Sequence, residues 1–211
     1  MLSLTRRRLA AAAVTATAAA ALAAPVAASA AVPATVSSVT WNVRTSWVNY
    51  VTNPAWTLGF SQGTVSRTSS NGGTSTVAPG SATTSWSSPW TNYAYSYRFA
   101  KSTDSGSPRT VVVRGGLDFD LPAHSIDVSL KDLKVEENAS GAEKLLVDAT
   151  YVPLGGTTQS LADAHAFDVA DAPDSSGAYA VTLTATGAQI FNGGSNGSYA
   201  AGDAFGSVTF N

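Results

Sequence analysis

Val39, Val43, Trp47 and the pair Tyr50-Val51 recur every three to four residues, a spacing that predicts an amphipathic helix over residues 40–51 with Ser38 or Thr40 as its N-cap. Asn53-Pro54 ends it, because a proline ring disfavours helical backbone in the residue before it. Ser46 and Tyr50, four apart, fall on one face of this helix. Residues 61–92 are rich in Ser, Thr and Gly, with turn signals at Asn71-Gly72-Gly73 and Pro79-Gly80, and read as short strands in exposed loops. Strict alternation then takes over. Tyr93, Tyr95, Tyr97 and Phe99 occupy every second position and predict one face of a strand. Residues 110–113 and then Leu117, Phe119 and Leu121 predict a strand pair across Gly115-Gly116. Ile126, Val128 and Leu130, then Leu133 and Val135, alternate in the same way, and residues 145–152, 178–183 and 207–210 supply further strands. A second short helix or turn is expected over residues 185–191, closed by Asn192-Gly193-Gly194. Many strands, little helix and no βαβ rhythm imply a mainly β fold: an antiparallel β-sandwich or open barrel with a short N-terminal helix and one further short helix.

The first thirty residues follow a different pattern. Arg6, Arg7 and Arg8 precede an alanine-rich apolar stretch, without acidic residues, that ends at Ala28-Ser29-Ala30. A charged region, an apolar region and a small-x-small site in that order describe a cleavable export signal, with the mature chain starting near Ala31. Its apolar part falls short of the roughly 18 strongly apolar residues of a membrane-spanning helix. Thr5-Arg6-Arg7-Arg8-Leu9 fits a twin-arginine signal and an arginine-rich secretory signal equally well. No second hydrophobic span follows, and the last residues carry no basic tail or sorting motif, so a secreted, diffusible, single-domain protein over residues 31–211 is expected. Removing the three signal arginines leaves nine basic residues against 14 acidic ones, a net charge of −5. An acidic chain is a poor partner for nucleic acid or an anionic membrane surface.

Composition then narrows the chemistry. Cysteine is absent and the one methionine is Met1, which leaves with the signal; disulfides, thiolate metal sites and covalent c-type haem are excluded. The two histidines, His124 and His165, are 41 residues apart and form no recognised zinc spacing. No Gly-x-Ser-x-Gly elbow is present, and Asp118 and Asp120 share a strand face where solvated acids are ordinary, so no enzyme is expected.

Three segments, in order, carry a family resemblance. Val39-Thr40-Trp41-Asn42-Val43-Arg44-Thr45-Ser46-Trp47-Val48-Asn49-Tyr50-Val51 resembles the opening of the HtaA domain, the haem-transport-associated module of actinobacterial secreted and surface proteins. Gly116-Leu117-Asp118-Phe119-Asp120 through His124-Ser125-Ile126-Asp127-Val128-Ser129-Leu130 is similar to that family's glycine-strand-histidine-strand segment. Val181-Thr182-Leu183-Thr184-Ala185-Thr186-Gly187-Ala188 with Phe191, then Tyr199-Ala200-Ala201-Gly202, is similar to its closing motif. One departure stands out: Ser125-Ile126 follows His124 directly, where the family commonly has a small turn, often with glycine.

The resemblance implies an exported protein that binds ferric haem b non-covalently, for capture or for relay to other cell-surface haem-transfer proteins. It places the axial ligand on Tyr50, the histidine that hydrogen-bonds the phenol on His124, a pocket contact on Ser46 and the pocket wall on Phe191. Elementary chemistry agrees with a tyrosine ligand, since ferric iron is a hard Lewis acid that favours phenolate and an imidazole stabilises that anion by a hydrogen bond. The alternative is a secreted carbohydrate-binding or cell-surface interaction module without haem. The five tryptophans could form a stacking platform for sugars, with Trp86 and Trp90 in line on an exposed face. If Trp41 and Trp47 are instead buried around the helix, those two are simply core.

Overall fold

The computed structural model describes residues 32–52, 64–68, 74–76, 82–85, 91–93, 96–106, 109–137, 143–153, 155–192 and 199–211. The export-signal segment, Trp86, Trp90, Tyr95 and Gly193-Gly194 lie outside the described residues. Among the described residues, thirteen strands and two short α-helices follow in the order β1 (Ser38–Val43), α1 (Thr45–Thr52), β2 (Thr64–Thr68), β3 (Thr74–Thr76), β4 (Ala82–Ser85), β5 (Thr91–Tyr93), β6 (Ser96–Ser105), β7 (Thr110–Arg114), β8 (Gly116–Leu121), β9 (Ile126–Glu137), β10 (Glu143–Tyr151), β11 (Gln159–Val169), β12 (Tyr179–Leu183), α2 (Ala185–Asn192) and β13 (Ala204–Phe210). The mainly β architecture with two short helices is the one expected, in its barrel form. Eleven strands form one antiparallel sheet in the order β10-β11-β12-β13-β1-β6-β7-β9-β8-β2-β3, and β9 also pairs with β10, so the sheet curls round on itself.

The predicted helix start needs correction. Residues 38–43 are a strand, paired on both edges, with β13 and with β6, and the helix begins only at Thr45. The spacing of four between Val39, Val43 and Trp47 satisfies both periods. Trp41 decides between them, because Val39, Trp41 and Val43 are all buried and that is a period of two. Helix α1 starts where the carbonyl of Arg44 accepts the N–H of Trp47 at 3.0 Å and of Val48 at 3.2 Å.

The strand pair foreseen across Gly115-Gly116 also forms differently. β7 and β8 do not pair with each other; both lie along the same edge of β9, β7 against residues 134–136 and β8 against residues 126–131. They meet at Gly115, whose φ of 126° turns the chain, and its carbonyl accepts the N–H of Asp132 at 3.1 Å from a bulge in β9. Past the bend β7 continues to β6 while β8 continues to β2, and helix α1 packs against β1, β2, β5 and β8.

The core is aromatic at this end. Phe191 of α2 lies 4.2 Å from Phe205 and 5.2 Å from Trp47 between ring centroids, and Trp47 meets Phe119 at 5.9 Å. Two glycines permit the close approach. Gly206, with φ of 105°, brings β13 so near β1 that a Cβ would sit 1.9 Å from the Asn42 carbonyl oxygen. A Cβ on Gly187 would sit 2.0 Å from the Ala166 carbonyl oxygen, so α2 rests directly on β11. Thr184 caps α2, accepting the Gly187 N–H at 3.1 Å and donating to the carbonyl of His165 at 2.6 Å.

Candidate functional site

Helix α1 buries Trp47, Val48, Asn49 and Val51 and turns the opposite face outward. Asn49 is tolerated inside because its carboxamide donates to the Thr45 carbonyl at 2.8 Å. On the outer face Ser46 is exposed and Tyr50 half-buried, its ring packed against the core. With Trp47 seated among Phe119, Phe191 and Phe205, the helix cannot rotate without breaking ring contacts, which fixes the direction of Tyr50.

His124 approaches from the other side, 74 residues later. Strand β8 ends at Leu121; Pro122 opens a single 3-10 turn over Pro122–His124, and Ser125 closes it with φ 56° and ψ 30°, its N–H donating to the Pro122 carbonyl at 3.0 Å. A small turn therefore does follow this histidine, made by a serine in the left-handed region. Leu121 and Ile126, on either side, are buried and hold the turn to the sheet.

These two elements bring Tyr50 and His124 into a hydrogen bond between the phenol oxygen and Nδ1, with the rings edge to face, 5.2 Å between centroids and 78° between planes. With the imidazole proton on Nε2 the phenol O–H donates to Nδ1; with the proton on Nδ1 the imidazole donates to a phenolate. Partial burial raises the Tyr50 pKa above the ordinary phenol value, so the uncomplexed side chain is neutral at physiological pH.

The other expected residues are placed less alike. The Ser46 hydroxyl accepts from Nε of Arg44 at 2.8 Å on the exposed edge of the helix. Phe191 is fully buried and stands behind Trp47, backing α1 rather than meeting solvent.

Two further residues adjoin the pair. Arg44 donates to the Ala204 carbonyl at 3.0 Å and lays its guanidinium 5.2 Å from the centre of the Tyr199 ring. Tyr199 is bracketed by Asn192, whose carboxamide donates to its carbonyl at 2.8 Å and accepts its N–H at 2.9 Å. Burial raises the Tyr199 pKa; Arg44 opposes that, and Asp203 and the neighbouring Tyr50 add to it. Tyr199 belongs to the closing motif and Arg44 to the opening one; as a cation Arg44 suits a propionate, but neither motif assigned either residue to the site.

Among the described residues no group of three or more His, Asp or Glu side chains could hold a metal ion, and no helix is long and apolar enough to cross a membrane. A shallow groove bounded by Ser129, Asp148, Thr150 and Ser160 contains none of the residues above. Trp41 and Trp47 are buried, so neither belongs to an exposed aromatic platform.

Comparison with known proteins gives concordant results. The family model HtaA, described as "Htaa", matches residues 36–211. No curated protein matches the chain. Among solved structures, the chain is similar to the haem-binding protein HtaB from Corynebacterium glutamicum, with a TM-score of 0.56 and 17% identity, covering 83% of this chain and 91% of that one. It also aligns with the C-terminal domain of HtaA from Corynebacterium glutamicum, with a TM-score of 0.48 and 13% identity, covering 82% of this chain and 94% of that one.

Proposed function

The chain belongs to the HtaA family, and from that premise we propose that it is an exported, non-enzymatic protein that binds ferric haem b non-covalently through Tyr50 and captures or relays it. The observation that carries this reading is the hydrogen bond between Tyr50 and His124 at a half-buried position.

The residues present suit such a cargo. A phenol at the surface of a rigid aromatic core offers one oxygen donor in a fixed direction, and an imidazole at hydrogen-bond distance adjusts to either protonation state of that oxygen. Bound haem supplies a ferric centre, which prefers a phenolate to a neutral phenol. The chain's contribution is to take the Tyr50 phenol proton onto His124 Nδ1, which then donates back to the phenolate, while a proton leaves the imidazole from Nε2 to solvent. Arg44, beside Ser46 and Tyr199, supplies a cation near the same face, suited to a carboxylate of the cargo. Without cysteine, attachment through thioethers does not arise. Transfer between surface proteins suits a ligand that stands half-buried on the outer face of a helix.

Titration of the purified protein with hemin, followed in the Soret region, tests the reading. The expected result is saturable binding of one haem per chain, lost or much weakened in Tyr50→Phe, which keeps the ring packing. An unchanged spectrum on titration, or wild-type binding by Tyr50→Phe, would refute it.

A further inference from the structure

The outer face of the curled sheet carries two arginines that the protein leaves without an acid. Tyr97 and Phe99 flank Arg98 in β6 and are buried, and the buried Val113 precedes Arg114 in β7, so the period of two turns both arginines outward, where both are exposed. Register brings them together. Arg114 stands opposite Ala100 of β6, and Arg98 lies two residues before Ala100, which makes the two arginines diagonal neighbours on adjacent antiparallel strands, about 7–8 Å apart.

Each guanidinium is held from one side by a hydroxyl. Arg98 Nε donates to Oγ of Ser38 at 2.9 Å, and Arg114 Nε donates to Oγ of Ser102 at 2.7 Å. Ser38 is buried in β1 and is therefore a fixed anchor. One of the five N–H donors of each arginine is used in this way, and the two terminal nitrogens keep theirs in one plane. Among the described residues neither arginine pairs with a carboxylate. Acids are not scarce, since 14 stand against nine basic residues beyond the signal. Other cations take them: Arg109 forks onto Asp104 at 2.7 and 2.8 Å, and Lys134 meets Asp163.

Two guanidinium forks side by side match an anion with two charges and more than two oxygens. A carboxylate brings one charge and two oxygens, enough for a single fork. A phosphate that is free or singly esterified brings a charge near −2 and at least three acceptor oxygens, which two forks share. We propose that Arg98 and Arg114 form a phosphate-binding site on the outer face of β6 and β7, for inorganic phosphate or a phosphate monoester. The serine contacts hold the guanidiniums in advance, so binding orders little that is not already ordered. The site uses none of the residues around Tyr50 and is independent of the haem reading.

Titration of the purified protein at pH 8 and constant ionic strength tests it, with inorganic phosphate, glycerol phosphate, dimethyl phosphate and acetate as probes and the arginine Nε–H signals read by nitrogen NMR. The Arg98 and Arg114 signals should shift together and saturate with the two dianions, about tenfold or more tighter than with the singly charged dimethyl phosphate or acetate. Arg98→Lys and Arg114→Lys keep the charge and lose the fork, and each should weaken phosphate binding by about tenfold. Lys144→Gln removes a charge of β10 that stands opposite Glu136 and Asp168, and should leave binding unchanged. Absence of saturation, equal binding of all four anions, full binding by Arg114→Lys, or equal weakening in Lys144→Gln would overturn the proposal, because general attraction to positive charge then accounts for the shifts. Tighter binding of glycerol phosphate than of inorganic phosphate would support the site and mark its ligand as an ester; the reverse order would support it and mark a free ion.

Discussion

Gly187→Ala should destabilise the protein, although alanine is the better helix former. Within α2 the exchange gains about 1 kcal/mol of propensity. Against that, the new Cβ would stand 2.0 Å from the Ala166 carbonyl oxygen and 3.0 Å from both the Ala166 carbonyl carbon and Leu183 Cδ2. Carbon and carbonyl oxygen approach no closer than about 3.3 Å, so helix and strand must separate by more than an ångström. The carbonyl cannot simply turn aside, because it accepts the Thr184 N–H at 3.0 Å and its hydroxyl at 3.2 Å. Overpacking costs about 1–3 kcal/mol, and disturbing the Thr184 cap adds about 1 kcal/mol. The net loss is about 1–3 kcal/mol, which lowers Tm by about 2–12 °C. Urea denaturation followed by tryptophan fluorescence measures it, since Trp41 and Trp47 are both buried in the core. A variant as stable as the wild type, or more so, would refute the claim that α2 sits in backbone contact with β11. Lifting α2 also draws Phe191 from Trp47, so weaker hemin binding should accompany the lost stability.

Phe191→Ala should cost about 3–5 kcal/mol by calorimetry, since its ring is fully buried among Trp47, Phe119, Phe167 and Phe205. Burial, and secondarily the neighbouring acids Glu137 and Asp171, raise the Glu143 carboxyl from 4.5 to about 7. The native state then keeps a proton that the unfolded chain has lost, so stability is fully present below about pH 4.5 and falls by about 3 kcal/mol as pH rises through about 7; Glu143→Gln should flatten that slope in denaturant titrations. His124→Ala should keep hemin binding but weaken it by about 10–100-fold, the usual effect of removing a partner that orients a metal ligand, and competition with a haem-accepting protein would read the difference.

The fold was legible where one period stood alone. β9 and β12 announce themselves by alternation, and α2 by a helical run after Thr184. β1 was obscured because Val39 and Val43 fit a helix continuing into Trp47 as well as a strand; the burial of Trp41 between them and pairing on both edges settle it. β11 went unread because Ala164 and Ala166 carry little hydrophobic signal, and an irregularity between His165 and Phe167 then shifts the buried face to Phe167 and Val169. β7 and β8 read as a hairpin because nothing local tells that both lie along β9. At the site, Tyr50 and His124 are 74 residues apart and were joined by family resemblance, not by any spacing rule. Arg44 and Tyr199 stand in the matching segments, but their contact came only with the fold, through the cation over the ring and the Asn192 bracket. Glu143 could have been found from sequence: it heads the inward series Glu143, Leu145, Val147, Ala149 and Tyr151, an acid on the buried face of a strand.

The central claim is that Tyr50 ligates ferric haem as a phenolate. Resonance Raman spectroscopy of the hemin-loaded wild-type protein, excited in the phenolate-to-iron charge-transfer band, tests it most directly. Phenolate ligation should give enhanced tyrosinate ring and iron–oxygen modes that vanish in Tyr50→Phe and shift in His124→Ala. Their absence from the loaded wild-type protein, or their persistence in Tyr50→Phe, would contradict it.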